Sequence, residues 1–150
     1  MAERITTPLV VIGWLTSLDI APAASNTPQD TSTWAATGFL TVDTVGGSVD
    51  ADTGQRNPVV GIGGWWVKPN ASTPPWGKAA NLLERVVEAV VDFHADGYAV
   101  EVQAPSGNFV HAKILSMWLP GSEPLRIYEP DTARAHYSID VALSWVPVPA

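Results

Sequence analysis

The chain has 150 residues, a formal net charge of −7 and no cysteine. This length is typical of one domain, and the absence of cysteine excludes disulfides, thiolate nucleophiles and Cys-ligated zinc. With only 8 lysines and arginines, the sequence lacks the basic face that supplies most of the affinity of nucleic-acid-binding proteins.

The N-terminal segment predicts a helix followed by a long connection. Thr7-Pro8 combines a capping residue with a proline at the first helical position. Apolar residues then recur near helical spacing, which predicts a helix from about Pro8 to Leu18. Residues 19–36 are rich in Ser, Thr, Asn and Pro, and a connection of this length is usually functional or disordered. Trp34 is expected to anchor its end.

The next segment predicts two neighbouring strands. Phe39–Val45 and Pro58–Val67 are rich in residues that favour strands, and antiparallel pairing is the simplest arrangement for them. Gly46-Gly47 is expected to end the first strand, and the polar stretch 48–57 to form a loop or hairpin tip. The second strand contains three glycines, which predict a bulge or a close approach of bulky neighbours: Gly61, Gly63 and Gly64.

A second amphipathic helix follows. Thr73-Pro74 repeats the start of the first helix, and the predicted helix runs to about His94. His94 then stands in the last turn, where the helix dipole favours a positive charge. Six apolar residues at spacings of three and four form one stripe of this helix: Ala79, Leu82, Leu83, Val86, Val90 and Phe93.

The C-terminal third predicts further strands. Tyr98–Gln103 and Phe109–Leu119 flank a turn at residues 105–108, and Tyr137–Trp145 alternates apolar and polar residues with a period of two. Strands that come in runs predict one α+β domain over residues 1–150. Its sheet is expected to be mainly antiparallel or mixed, with about four to six strands and two helices packed on one face.

No pattern in the chain predicts catalysis, a cofactor or a metal. Gly61–Gly64 is followed by strand residues instead of the helix that a phosphate loop needs. Asp50–Gly54 begins like a calcium loop, but Gly61 stands where the loop needs its last Glu. The three histidines lack zinc-ligand spacing, and no Gly-x-Ser-x-Gly elbow occurs. The sequence therefore indicates a protein that is not an enzyme.

Trp65 and Trp66 point to opposite faces of a regular strand, so both cannot enter one core. One of them is expected to lie under a helix on the other face or to contact another subunit, because Trp is enriched at the centres of interfaces.

Three segments carry a resemblance to a known family: Trp34–Phe39, Arg56–Val60 and Pro75–Ala79. Across about residues 31–91, the chain resembles the tail terminator proteins of long-tailed actinobacteriophages (siphoviruses). The resemblance implies an α+β subunit that forms a homohexameric ring without a cofactor. Such a ring caps the head-proximal end of the tail tube and stops tube polymerisation. It also docks to the stopper or connector protein of the head, and genomic DNA passes through its lumen without specific binding.

The residues expected at subunit or tube contacts are Arg56, Trp65, Trp66 and Trp76. Arg56 is expected to pair with a carboxylate of the next subunit across a heterologous ring interface. Residues 19–36 and 46–57 are the segments expected to reach the tube or a neighbour.

Three alternatives stay open. Another head-to-tail joining protein, such as a stopper or completion subunit, has a similar size. A secreted binding domain follows if the apolar run Leu9–Leu15 and the small residues Ala21–Ala24 form a signal peptide. A small hydrolase requires carboxylates that converge in a cleft.

Overall fold

The computed structural model describes residues 5–93, 97–121 and 123–148. These residues form two α-helices, seven strands and one 3-10 turn at Thr31–Thr33. The elements are α1 (Thr7–Leu18), β1 (Ala23–Ala24), β2 (Phe39–Val49), β3 (Arg56–Val67), α2 (Trp76–Val91), β4 (Tyr98–Gln103), β5 (Phe109–Trp118), β6 (Leu125–Ile127) and β7 (Arg134–Val148).

One curled, mixed sheet contains the seven strands of the described residues in the order β1-β2-β3-β7-β5-β4, with β6 also paired to β7. All pairs are antiparallel except β1 with β2. The predicted α+β class is therefore confirmed, and so is the antiparallel pairing of β2 with β3. The two strands that the sequence did not predict, β1 and β6, are only 2 and 3 residues long.

Both helices pack on the inner face of the sheet, as predicted. Val10, Trp14 and Leu15 of α1 and Leu83 and Val86 of α2 belong to a single buried cluster with the inward residues of the sheet. From β7 these inward residues are Ile139, Val141, Leu143 and Trp145, which confirms the period of two in this strand. Helix α1 contacts β4 as well as β1 and β2, so it spans the open side of the curled sheet.

The starts of both helices differ from the prediction. Thr6, not Thr7, is the N-cap of α1, and the buried Thr7 hydroxyl instead accepts a hydrogen bond of 3.0 Å from Nε1 of Trp145. Helix α2 begins at Trp76 with Pro75 as its cap, and it ends at Val91, three residues before the predicted end. His94 lies outside the described residues.

The glycine pair at 46–47 does not end β2, contrary to the prediction. The strand continues to Val49, with its register shifted between Thr44 and Gly46. Gly47 has a φ of +113°, and a Cβ at this position would collide with the backbone of Asn57 and Pro58. The segment 48–57, predicted as a loop or hairpin tip, is a hairpin tip whose turn is shorter, at residues 50–55, between two long strands. A bulge absorbs the extra residue and keeps the pairing.

Residues 19–36 fold back along the edge of the sheet. They contain β1 and the 3-10 turn, and the buried Trp34 packs with Phe39 and Val67 in a second, smaller cluster. Trp34 therefore anchors this connection, as the sequence predicted.

Candidate functional site

The four predicted contact residues do not form one patch. Arg56 and Trp65 are at opposite ends of β3, which places them about 30 Å apart at a rise of ~3.3 Å per residue. Trp65 and Trp66 point to opposite faces, because Trp65 stacks on His136 whereas Trp66 packs against the main core. Of the four, the structure brings together only Trp66 and Trp76.

Trp66 and Trp76 line one open groove of about 650 Å³, which we call the tryptophan groove. The local sequence explains it: the prolines before α2 keep the backbone out of the helical region until Trp76. The ammonium of Lys78 lies 5.0 Å from the ring centroid of Trp66. Lys68, Pro69 and Pro75 also line the groove.

An aromatic cluster borders the tryptophan groove. The guanidinium of Arg126 lies 4.3 Å from the ring centroid of Trp76, and the rings of Tyr128 and Tyr137 meet Trp76 edge-on at 5.8 and 6.0 Å. Nε of Arg126 donates to the hydroxyl of Tyr137 at 3.2 Å. Hydrogen bonds to Tyr137 and then Tyr128 raise the pKa of Arg126, so this cation stays charged.

Sequence reasoning missed Arg126 and Tyr128. Arg126 lies in β6 and Tyr128 comes directly after it. The three residues of this strand are too few to show a period in the sequence. The one available signal was the spacing of an arginine and a tyrosine in a short apolar run, Leu125–Tyr128. Tyr128 is 78% exposed, and an exposed aromatic residue beside a cation is typical of a contact surface.

Trp65 lies on the outer face and is engaged within its own chain. Its indole is parallel to the imidazole of His136, with ring centroids 3.6 Å apart, and its Nε1 donates to Oγ1 of Thr41 at 2.9 Å. The sequence predicted that one of the two adjacent tryptophans lies under a helix or contacts another subunit. Trp66 packs against the core on the helical face, and a contact of Trp65 with a neighbour stays a prediction.

His136 is paired with a carboxylate on the same outer face. Its Nδ1 lies 3.3 Å from Oε1 of Glu129. Burial lowers the pKa of His136, and the attraction of Glu129 opposes this effect without reversing it. The imidazole is therefore held in its neutral form by its surroundings at neutral pH.

A polar groove of about 780 Å³ runs along this outer face. Gly61 and Gly63 form its floor, and the carboxylates of Asp43 and Asp140 flank Gly61 because these residues pair across three strands. Within the described residues, no group of three or more acidic or histidine side chains is arranged to hold a metal.

The glycine run, the acidic turn and His111, which the sequence analysis considered as possible chemical sites, are explained by local structure. Gly61–Gly64 lies inside β3, which confirms the prediction of a glycine-rich strand under bulky neighbours: a Cβ on Gly64 would lie 2.7 Å from Leu83. The Asp50 side chain accepts hydrogen bonds from the backbone N–H groups of Asp52 and Thr53. His111 forms an exposed pair with Glu101 at 3.5 Å.

Residues 43–56, which comprise the exposed part of β2 and the turn of the β2–β3 hairpin, form an edge that we call the arm. Its β2 side is exposed throughout, with Val45 and Val49 at 56% and 55% exposure. Strand β1 pairs only with Leu40 and Thr41, so no described strand covers β2 beyond them. Beside the turn of the arm, Arg56 pairs with Val49, and its guanidinium lies 6.0 Å from the ring centroid of Trp145.

No protein-family model matches this sequence, and no curated protein is similar enough to count as a relative. Among the described helices, none has both the length and the apolar character to cross a bilayer.

Proposed function

We propose that this chain is a tail terminator of a long-tailed bacteriophage. In this role it assembles as a homohexameric ring at the head-proximal end of the tail tube in the virion. The ring stops tube polymerisation and offers a docking surface to the stopper or connector protein of the head. The sequence segments that resemble this family are Trp34–Phe39, Arg56–Val60 and Pro75–Ala79.

The observation that carries this proposal is the position of two unlike surfaces at opposite ends of β3. The arm includes Arg56, the first residue of β3, and the tryptophan groove includes Trp66, near the last residue of this strand. A closed ring with more than two subunits needs a heterologous interface, in which one surface of a subunit meets a different surface of the next. This subunit presents such a pair on a rigid sheet.

The charge of the chain also supports the proposal. At −7 per copy, a ring of such subunits is strongly acidic, and like charge reduces the attraction of DNA to the lumen wall. An acidic lumen therefore suits a channel through which a genome passes without being held.

Labelling of native particles tests the proposal. Gold-labelled antibody against this protein is expected to bind as one cluster at the junction of head and tail in electron micrographs. A resolved ring on the tube side of that junction supports a terminator, whereas a ring on the head side supports a stopper or completion protein. Label along the tail, on the capsid or on no particle contradicts both assignments.

A binding domain is the second candidate function, and the polar groove on the outer face favours it. A concave site of about 780 Å³ with hydroxyl, carboxylate and indole groups has the size of a small-molecule site. Mass spectrometry of the mature N-terminus separates the secreted form of this candidate from the terminator, because a chain that starts near Ala24 has lost a signal peptide.

A further inference from the structure

The charged residues near the tryptophan groove are cations, whereas most of the charged residues on the arm are carboxylates. Lys68 and Lys78 line the groove, and Arg126 lies over Trp76 beside it. The arm carries three exposed carboxylates, Asp43, Asp50 and Asp52, and one exposed cation, Arg56, where it joins β3. The chain as a whole has a net charge of −7, so three cations at one groove differ in sign from the rest of the protein. Such a groove attracts an anionic partner.

The cations of the groove are not neutralised within the chain. In the described part of the chain, Lys68, Lys78 and Arg126 have no carboxylate within salt-bridge distance. Lys78 and Arg126 rest over indole rings instead. An ammonium held over an aromatic face keeps its charge available to an incoming anion.

The tip of the arm is ordered before it meets a partner. The backbone N–H of Asp50 donates to the carbonyl of Gln55 at 2.9 Å, and that of Gly54 donates to the carbonyl of Asp50 at 2.8 Å. The Asp50 carboxylate caps the turn through the N–H of Asp52 at 2.9 Å, and these hydrogen bonds lower the pKa of Asp50. A segment that is already ordered loses little entropy when it docks.

The Asp52 carboxylate is available for docking. In the described residues it accepts no hydrogen bond and forms no ion pair, whereas the backbone N–H of Asp52 is held by Asp50. Two exposed valines, Val45 and Val49, lie behind it on β2. The arm therefore offers an anion and apolar side chains together, which matches a groove of indole and proline rings with ammonium groups at its edge.

We infer that the arm of one copy docks into the tryptophan groove of a second copy, with Asp52 facing Lys78 and Lys68. This inference rests on the proposed ring, because it names the contact that joins neighbouring subunits. The groove and the arm lie at opposite ends of β3, so each copy uses both surfaces and the contact is head-to-tail. The partner is a second copy of this chain.

Cysteine cross-linking tests this contact, since the natural chain has no cysteine. The double variant Asp52→Cys/Lys78→Cys, oxidised at high protein concentration, is expected to give a ladder of covalent multimers on a non-reducing gel. An equal mixture of the two single variants is expected to stop at dimers, and each single variant alone is expected to stay monomeric. A double variant that gives no multimers overturns the inference.

Charge exchange gives a second test that forms no covalent bond. Asp52→Lys and Lys78→Glu are each expected to weaken association about tenfold in analytical ultracentrifugation at low salt, as the loss of a close charge pair does. The double exchange is expected to restore association. Asp92→Lys changes the net charge as Asp52→Lys does but lies at the far end of α2, and it is the matched control. Equal weakening by the control, or no restoration in the double exchange, overturns the inference.

The same variants separate this inference from the proposed function. Rings that form normally without the cysteine ladder overturn the arm contact and leave the terminator assignment intact. A ladder from a protein that immunogold does not find at the head–tail junction keeps the contact and overturns the assignment. A fluorescent single-stranded oligonucleotide that binds the wild type but not Lys78→Glu identifies nucleic acid as the occupant and overturns the inference.

Discussion

The indole of Trp65 lies flat on the imidazole of His136, with ring centroids 3.6 Å apart and planes inclined by 13°. The two residues are direct partners on β3 and β7, so the stack fixes neighbouring strands at the centre of the sheet. Because Oε1 of Glu129 lies 3.3 Å from Nδ1 of the same imidazole, a charge on His136 affects all three groups.

Stability is expected to decrease as the pH falls below neutrality. Burial lowers the pKa of His136 in the folded protein, so the unfolded chain takes up this proton first. The contribution of His136 is complete above its unfolded pKa of about 6.5 and is lost as the pH falls below that value. Urea denaturation at a series of pH values measures it.

His136→Gln isolates that contribution. The variant loses the ring stack, so its free energy of unfolding is expected to be lower at every pH. Its decrease with falling pH below about 6.5 is expected to be smaller than that of the wild type, because one group with a shifted pKa has been removed. Parallel curves for the two proteins would contradict the assignment.

Gly63→Ala is expected to destabilise the protein, and Gly61→Ala is not. A Cβ on Gly63 would meet Oγ1 of Thr41 first and would lie 2.8 Å from Nε2 of His136 and 2.9 Å from Nε1 of Trp65, whereas a Cβ on Gly61 would lie 3.5 Å from its nearest neighbour. Crowding of this kind costs about 1–3 kcal/mol of unfolding free energy. The two variants have the same chemical change on one strand, and the midpoint of urea denaturation compares them.

Thr7→Val is expected to cost about 1–3 kcal/mol, because a buried donor loses its acceptor. The Nε1 of Trp145 donates to Oγ1 of Thr7 at 3.0 Å in the core. Thr16→Val makes the same change on an exposed turn of α1, where its effect is expected to stay within about 0.5 kcal/mol. Equal losses in thermal unfolding would show that the hydrogen bond has no special role.

Leu83→Ala is expected to cost about 2–5 kcal/mol, the range for a leucine truncated in a core that does not collapse. Leu83 is fully buried against Gly64, and a glycine has no side chain with which to fill the cavity. Val91→Ala on the same helix is the control, since Val91 is 69% exposed. Calorimetry of both variants gives the difference, and a small loss for Leu83→Ala would contradict the packing described.

The sequence predicted the elements whose pattern extends over several turns or pairs. The alternation of Tyr137–Trp145 predicted a strand with one buried face, and the stripe that includes Leu83 predicted α2. It did not predict β1 or β6, because two or three residues cannot show a period. It wrongly ended β2 at Gly46-Gly47, since local propensity does not reveal that a bulge there continues the pairing.

The candidate contact surfaces were predictable only in part. The three half-buried tryptophans and Arg56 were identified by residue type, but nothing in the sequence shows that Trp66 and Trp76 share a groove or that Trp65 faces away from it. The position of Arg126 over Trp76 joins residues from different segments of the chain. Such a contact depends on the order of strands in the sheet, which a single sequence does not specify.

The pairing of β3 with β7 has a consequence for the synthesis of this protein. Ile62 pairs with Ile139, so the central seam of the sheet closes only after Ile139 has left the ribosome. Until then the apolar stripe of α2 has no complete surface to cover it, and a nascent chain in this state is prone to aggregate. The nascent chain is thus expected to need chaperones until β7 has been synthesised. Truncations that remove β7 should yield insoluble protein.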